Sequence, residues 1–364
     1  MMRHIAPLIV VLLLCSACAD WNSGRAGSVI DAHVVRVVEQ GTRTGTATGV
    51  PAQLFQTLEL QLDAGLYRGD HAIVQWGGRT ALNANGLLAP GEKVLVSQRR
   101  AEGDVRQYAI EEIVRLPSLV PLVVSLVLTL LLVARWKGLA SLAGLAGSIG
   151  VFLLAIVPAV QRGDDPLVAT LVGALAVLVI AVFVVHGLNR KSVAALAGTA
   201  TCLLLVVGLA AALVLFSHLT GLGSEEAVFL AIGSGGRIDL HRLVLAGIVV
   251  GSLGALVDMG VGQASATFEL AAAHHQMRGR RLYASALNVG RDHIGSLVNT
   301  LALAYFGSSL PLIVLLSLGN APLSLALNSE TIIGSIISIL VASIGLVVCV
   351  PVTTAIAVVL SDRA

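Results

Sequence analysis

The apolar runs between residues 117 and 360 constrain this chain more than any other feature. Most of them reach about 20 residues, the length that a helix needs to cross a hydrocarbon layer roughly 30 Å thick. The chain is 56% hydrophobic and 12% charged, whereas roughly 25% of the residues in a soluble domain are charged. Its mean hydropathy is +0.89. We therefore predict a membrane α-helical bundle rather than a soluble globule.

The predicted bundle occupies residues 117–364 and contains about seven transmembrane helices. The spans are expected at residues 118–135, 139–160, 167–188, 193–217, 242–262, 294–318 and 332–360. Basic residues cluster after the first, third and fifth spans and at the C-terminus: Arg135, Lys137, Arg190, Lys191, Arg278, Arg280, Arg281, Arg291 and Arg363. Because cytoplasmic loops carry an excess of basic residues, the C-terminus is predicted to be cytoplasmic.

The first 19 residues are typical of a secretory leader. Arg3 precedes an apolar stretch from residue 5 to residue 14, and Ser16 and Ala17 follow as small residues. This pattern predicts a cleaved signal peptide or an uncleaved signal anchor. Lipidation of Cys18 is a further alternative, although Cys15 occupies the position where a lipoprotein leader has an aliphatic residue. Each alternative places the following residues outside the cytoplasm.

Residues 20–116 have the pattern of a small extracytoplasmic all-β domain. Gly, Pro, Asn and Asp turn signals separate short β-prone runs. These runs are "SVIDAHVVRVVEQG", "LFQTLELQLDAG", "HAIVQW", "EKVLVSQRR" and "RQYAIEEIVRL". Five or six strands in this length predict an OB-like fold or another small barrel. A partner of this domain in the cell envelope is one expectation that follows.

Two predicted helices carry polar stripes. Since helical neighbours recur three, four, seven and eleven residues apart, one face of the first helix holds Asp258, Gly262, Ser265 and Glu269. The second helix holds Asn288, Asp292, Ser296 and Asn299 on one face, with Arg291 and Thr300 at its border. Helices that are consecutive in sequence usually pack antiparallel in space, so the two stripes are expected to face each other.

An ionised residue inside the hydrocarbon layer costs a few kcal/mol and needs a counter-charge or a wet cavity. We hypothesise that a hydrophilic cavity in the cytoplasmic half of the membrane is lined by Asp258, Gln263, Ser265, Asn288, Arg291, Asp292 and Asn299. Arg291 is the candidate counter-charge for Asp258. A structural alternative is that Asp292 and Arg291 cap the N-terminus of their helix at the membrane surface, where the helix dipole favours a carboxylate.

The same segments resemble the YibE/F family of bacterial multi-pass membrane proteins. The resemblance is carried by "GSLGALVDMGVGQASATFEL" at residues 251–270, a basic loop, and then "ALNVGRDHIGSLVNTLALAYFGSSLPLIVLL". It extends over about residues 110–360. It implies an extracytoplasmic N-terminal segment followed by several membrane spans in the bacterial cell membrane. It implies no particular activity.

Motifs that would indicate an enzyme are missing from the sequence. The chain has no "GxxxxGK[ST]", "HExxH" or "GxSxG" motif, and no "GxGxxG" between a strand and a helix. We expect no catalytic activity, cofactor or metal. An intramembrane hydrolase that uses Asp258 and Asp292 is the one enzymatic alternative. Basic residues of the β domain, such as Arg99 and Arg106, lack an aromatic platform, so no nucleic-acid partner is expected.

Two functions from different classes fit these features. The first is a secondary transporter or permease for a small solute or ion, with Asp258 as a protonatable or cation-binding group. The alternative is a membrane scaffold or sensor whose β domain binds a partner. Under either function, the lipid bilayer is expected to surround most of residues 117–364.

Overall fold

The computed structural model describes residues 29–43, 53–77, 82, 84–100, 106–318 and 322–362. The leader predicted for residues 1–19 lies outside these residues. The described chain forms two compact units, one within Cys15–Val133 and the other within Ala134–Ala364. We call them the β unit and the bundle.

All five predicted β-prone runs form strands. They are β1 (Val29–Arg43), β2 (Gln53–Leu62), β3 (His71–Gly77), β4 (Lys93–Arg100) and β5 (Arg106–Ile113). The strands pair antiparallel in the order β3-β2-β1-β4-β5. Strands β3 and β5 also lie close to each other. The sheet therefore curls toward a partly open five-stranded barrel of the kind that an OB-fold has.

The barrel interior follows from the period-two alternation of the strands. On β2, the buried positions are Gln56, Leu58, Leu60 and Leu62, each separated by a more exposed residue. These leucines pack with apolar residues of β1, β3 and β4, among them Val34, Val74 and Val94. Gln56 occupies a core position in this pattern although its side chain is polar.

The rest of the described chain is helical. The helices are α1 (Leu116–Val151), a π-helical turn (Phe152–Ile156), α2 (Val157–Arg162), α3 (Pro166–His186), α4 (Arg190–Phe216), α5 (Glu225–Ser234), α6 (Leu240–Ala273), α7 (Gly279–Leu318), α8 (Leu323–Leu327) and α9 (Glu330–Asp362). The predicted class, a membrane helical bundle preceded by a β domain, is confirmed.

Six of the described helical stretches are long and apolar enough to cross a membrane, compared with about seven predicted spans. The difference arises at the first two spans, which form one stretch of 47 residues from Leu116 to Arg162. The backbone of Arg135 is not helical within this stretch (φ 54°, ψ −134°). The predicted break between residues 135 and 139 therefore corresponds to a kink.

Helices α4, α6 and α9 pack against one another at the centre of the bundle, with α3 on α6 and α7 on both α6 and α9. The leucines Leu203, Leu256 and Leu346 fill this centre and have no exposed surface. Glycines allow the helices to approach closely, since a Cβ on Gly198 would lie 2.9 Å from the Cα of Thr353. Such contacts between small residues are the usual means of helix association in membranes.

Candidate functional site

Two sets of ion pairs mark the ends of α6. Near its beginning, Arg242 pairs with Asp165 and with Asp239 (3.4 Å). Near its end, the Oε1 atom of Glu269 lies 3.8 Å from the Nζ atom of Lys191. The positions of Arg242 and Glu269 differ by 27 residues, which corresponds to about 40 Å of helix. This length matches the thickness of a bilayer including its polar interfaces, roughly 40–45 Å.

Asp258 is the only charged residue of α6 between these two ends. It lies 16 residues after Arg242 and 11 residues before Glu269, or about 24 Å and 16 Å along the helix. Helix α6 is continuous over this range. Asp258 therefore lies on α6 between the two sets of ion pairs and away from both.

The register between α6 and α7 follows from two contacts. The amide Nε2 of Gln263 donates to the carbonyl oxygen of Ala286 at 2.8 Å, near the beginning of α7. Farther along α7, the Tyr305 hydroxyl lies beside Gly251. The two helices are thus antiparallel, and Asp258 is at about the level of Ile294. Asp292 is within about one helical turn of that level, and Asn299 is about one and a half turns from it.

Most of the predicted site residues lie on exposed helix faces. Asp258, Asn288, Arg291, Asp292 and Asn299 are exposed, and Ser265 is half-buried. The Arg291 guanidinium donates to the Asn288 side-chain oxygen at 3.1 Å. Within the described residues, Asp258 makes no ion pair with Arg291 or with any other side chain. The two stripes lie at similar levels along α6 and α7, and their pairing stays a prediction.

The capping alternative for Asp292 is wrong. Helix α7 begins at Gly279, 15 residues before the predicted start of the span at residue 294. Asp292 and Arg291 consequently lie more than three turns inside the helix, where backbone N–H groups already have helical partners. A capping role at the helix N-terminus therefore does not account for this pair.

Gln263 differs from the other predicted site residues because it is buried, with 3% of its surface exposed. Its Nε2 donates to Ala286 O at 2.8 Å and lies 2.7 Å from the hydroxyl of Thr354 on α9. Gly290 leaves the space that the amide needs, since a Cβ there would lie 2.6 Å from the Gln263 Oε1. Gln263 thus joins α6, α7 and α9, and it faces the interior instead of the exposed stripe.

A polar layer at the bundle centre was not predicted from the sequence. The Thr199 hydroxyl donates to Leu256 O at 3.4 Å, and the thiol of Cys349 lies 3.4 Å from the hydroxyl of Thr353. Cys202 and Cys349 are both buried free thiols. The sequence "CVPVTT" at residues 349–354 was a signal for this layer, because hydroxyl residues inside an apolar span commonly contact another helix.

A cavity of about 360 Å³ lies at the end of the bundle that holds the α4–α6 connection. We call it the polar cavity. Glu330 at the start of α9 is part of its wall and accepts hydrogen bonds from the Thr220 hydroxyl (2.7 Å) and the Gly221 N–H (2.5 Å). Gly247 of α6, Ser338 of α9 and Tyr305 also line the cavity. These residues come from distant parts of the chain, so no local sequence pattern predicts the cavity.

Comparison with known proteins places most of the chain in a described family. A model of the YibE/F-like protein family matches residues 122–363. The match begins inside α1 and includes both polar stripes and the polar cavity. No curated protein and no solved structure matches the chain.

Proposed function

The chain belongs to the YibE/F-like family, and we propose that it is a secondary transporter or permease for a small solute or ion, with Asp258 at the centre of its pathway. The proposal rests mainly on the depth of Asp258. A carboxylate in that position costs a few kcal/mol unless it is hydrated, paired with a cation or protonated. Hydration, cation binding and protonation of such a carboxylate are each a step that a transport cycle uses.

The surroundings of Asp258 supply the space for a proton or a small ligand. One turn away on either side, Gly254 and Gly262 face open space, since a Cβ at either position would meet no atom within 4 Å. The Asp258 carboxylate has no hydrogen-bond partner among the described residues. Its oxygens therefore remain free to bind a proton, a cation or a polar group of a substrate.

The other predicted residues have distinct roles in this proposal. Asp292, Asn299 and Arg291 on α7 contribute polar groups near the depth of Asp258, and Ser265 and Asn288 extend the pathway toward the Lys191–Glu269 layer. Gln263 holds α6 against α7 and α9. We further propose that the stretch Leu116–Arg162 crosses the membrane twice around the kink at Arg135, so that the β unit is extracytoplasmic and the C-terminus is cytoplasmic, as the basic residues predict.

Flux measurements on purified protein in liposomes test the role of Asp258. A pH-sensitive dye inside the vesicles detects proton movement that accompanies candidate solutes or an imposed cation gradient. We expect Asp258→Asn to abolish flux and Asp258→Glu to retain part of it. Glu269→Gln is the matched control, because it removes a carboxylate from the same helix at an exposed position. Unchanged flux in Asp258→Asn would refute the proposal.

A reporter fusion tests the proposed orientation independently. Alkaline phosphatase is active only outside the cytoplasm, and we expect it to be inactive when fused after residue 364. A fusion within the loop after α4, at residue 222, is expected to be active. The opposite pattern would invert the orientation while leaving the role of Asp258 open to the flux test.

A further inference from the structure

The polar cavity has an apolar neighbour. The second cavity, of about 370 Å³, lies between the second half of α7, the short helix α8 and the first half of α9. We call it the apolar cavity. Tyr305 of α7 and Ser335 of α9 line both cavities. Each volume is within the range of roughly 300–1,000 Å³ that is usual for small-molecule sites.

The chemistry of the polar cavity selects against anions. Glu330 is the only acidic or basic side chain of its described wall, and the remaining polar side chains are hydroxyls. The hydroxyls of Thr331, Ser335 and Ser338 already donate to backbone carbonyls, but each oxygen can still accept a hydrogen bond. The wall thus presents acceptors and one negative charge, a combination that favours a cationic or neutral hydrogen-bonding group.

Tyr305 supplies a hydroxyl at the junction of the two cavities. The phenol oxygen lies beside Gly251, where the absence of a side chain makes room for it. This hydroxyl makes no hydrogen bond to the described part of the chain. Tyr305 is half-buried, and its unpaired hydroxyl is available to a ligand.

The apolar cavity selects for a hydrocarbon chain. Its wall is formed by Phe306, Ile313, Leu316, Leu323, Ile332 and Ile339, together with a few other residues. It contains no charged side chain among its described lining residues. A chain placed here gains dispersion contacts with the aromatic and branched side chains.

We propose that the two cavities together bind one single-chain amphiphile. Its cationic or uncharged head lies in the polar cavity near Glu330, and its hydrocarbon chain lies in the apolar cavity, with Tyr305 and Ser335 at the junction. This site goes beyond the proposed transport pathway, because Asp258 is in neither cavity wall. Gly251, which Tyr305 touches, precedes Asp258 by two turns of α6, so an amphiphile at this site is placed to influence the pathway.

Photolabelling of the full-length protein in phosphatidylcholine nanodiscs tests the site. The probes are a long-chain amine, the corresponding alcohol and the corresponding carboxylic acid, each with a diazirine near the end of its chain. We expect the amine and the alcohol to label residues of the apolar cavity on α7 and α9, in competition with unlabelled amine. The acid is expected to label these residues about tenfold less than the amine, which corresponds to 1.4 kcal/mol.

Three variants separate this site from bulk lipid. Ser335→Phe fills the junction and should remove the labelling, whereas Leu340→Phe, on the exposed face of the same helix, should not change it. Glu330→Gln keeps the shape of the side chain and should reduce the amine to the level of the alcohol. Labelling spread evenly over the exposed apolar helix faces and insensitive to competitor would mean bulk lipid only and would overturn the proposal. Equal labelling by the acid and the amine would overturn the assignment of the head group.

Discussion

A buried glutamine lies in each unit of this protein, and the two residues operate in different solvents. Gln56 in the β unit is 1% exposed. Its Oε1 accepts a hydrogen bond from the Leu88 N–H (2.8 Å), and its Nε2 donates to the Leu88 carbonyl oxygen (3.1 Å). Gln263 in the bundle is 3% exposed and joins three helices through Ala286 O and the Thr354 hydroxyl. When the β unit unfolds, water replaces the partners of Gln56. When the helices of the bundle separate in lipid, Gln263 still has to find a protein partner.

Because the two solvents differ, a buried glutamine is expected to contribute differently to the stability of each unit. Unpaired groups in a folded aqueous domain lose the hydrogen bonds that water would give them in the unfolded chain. In membranes, measured side-chain hydrogen bonds average only about 0.6 kcal/mol, since the separated state also finds partners. We therefore expect the β unit to depend on its buried amide and the bundle to depend more on close helix packing.

The largest effect is expected from Gln56→Leu. It leaves the N–H and the C=O of Leu88 buried without a side-chain partner, and the loss should be about 2–6 kcal/mol at 1–3 kcal/mol for each group. Urea unfolding of the full-length protein measures it through Trp76, whose Nε1 donates to Gly86 O in the same loop (2.9 Å). Trp21 and Trp136 are replaced by Phe so that the signal comes from this unit.

Gln75→Leu is the control for this prediction, since Gln75 is exposed on β3 and loses no buried partner. Equal midpoints for Gln56→Leu and Gln75→Leu would mean that the clamp on Leu88 contributes nothing to the stability of the β unit. The comparison between the two glutamines would then lose its first half.

The next effect is expected from Gly198→Ala in the bundle. The added Cβ would lie 2.8 Å from the Cβ and 2.9 Å from the Cα of Thr353, so the backbones of α4 and α9 must move apart. Overpacking of this kind typically costs 1–3 kcal/mol, and we expect about that loss here. Thermal unfolding in detergent, followed by the helical circular dichroism signal, measures it.

Gly208→Ala, on the same helix, is the matched control because a Cβ there meets no atom within 4 Å. It should be neutral or slightly stabilising, since alanine favours a helix over glycine by up to about 1 kcal/mol. If both variants melt at the same temperature, close packing of α4 on α9 is not what holds the bundle together.

A smaller effect is expected from Gln263→Leu. The substitution removes two hydrogen bonds at similar volume, and we expect a loss of about 0.6–1.7 kcal/mol in the same thermal assay. Gln276→Leu, at an exposed position after α6, is the control. A loss as large as that of Gln56→Leu would break the comparison, because it would show that a buried amide contributes equally in both solvents.

The sequence predicted local features of this molecule well. All five β-prone runs became strands, because alternation and turn signals act over a few residues. The helical period also placed Asp258, Gly262 and Glu269 on one face, and all three are exposed together. The beginning of α7 was missed, because residues 279–293 are polar and hydropathy responds only to the segment that lipid surrounds.

Features that depend on distant contacts were not predicted. The polar cavity joins Glu330 to the loop at residues 219–224, which lies more than 100 residues earlier in the chain. The inward position of Gln263 depends on Gly290 and Thr354, and no periodicity within α6 specifies these partners. Periodicity predicts which residues share a helix face, and only packing decides what that face contacts.

The smallest effect concerns Glu59 of the β unit, which tests the same comparison through charge. Hydrogen bonds from Arg36 and from His71 (2.8 Å) hold the pKa of the Glu59 carboxyl below its ordinary value. Because the pKa is lower in the folded chain, the stabilisation is fully present above the ordinary glutamate pKa of about 4.3 and is lost as the pH falls through the lower value. Glu59→Gln should flatten the pH dependence of the urea midpoint, followed through Trp76, between pH 5 and 3. Glu39→Gln, on the exposed side of β1, should not flatten it.

Salt distinguishes the Glu59 ion pair from the buried amide. The Glu59 contribution should decrease in about 1 M salt, where the Debye length is about 3 Å, whereas the loss caused by Gln56→Leu should persist. If salt reduced both equally, the Gln56 clamp would be electrostatic in the same way as an exposed ion pair, and burial would not explain its effect.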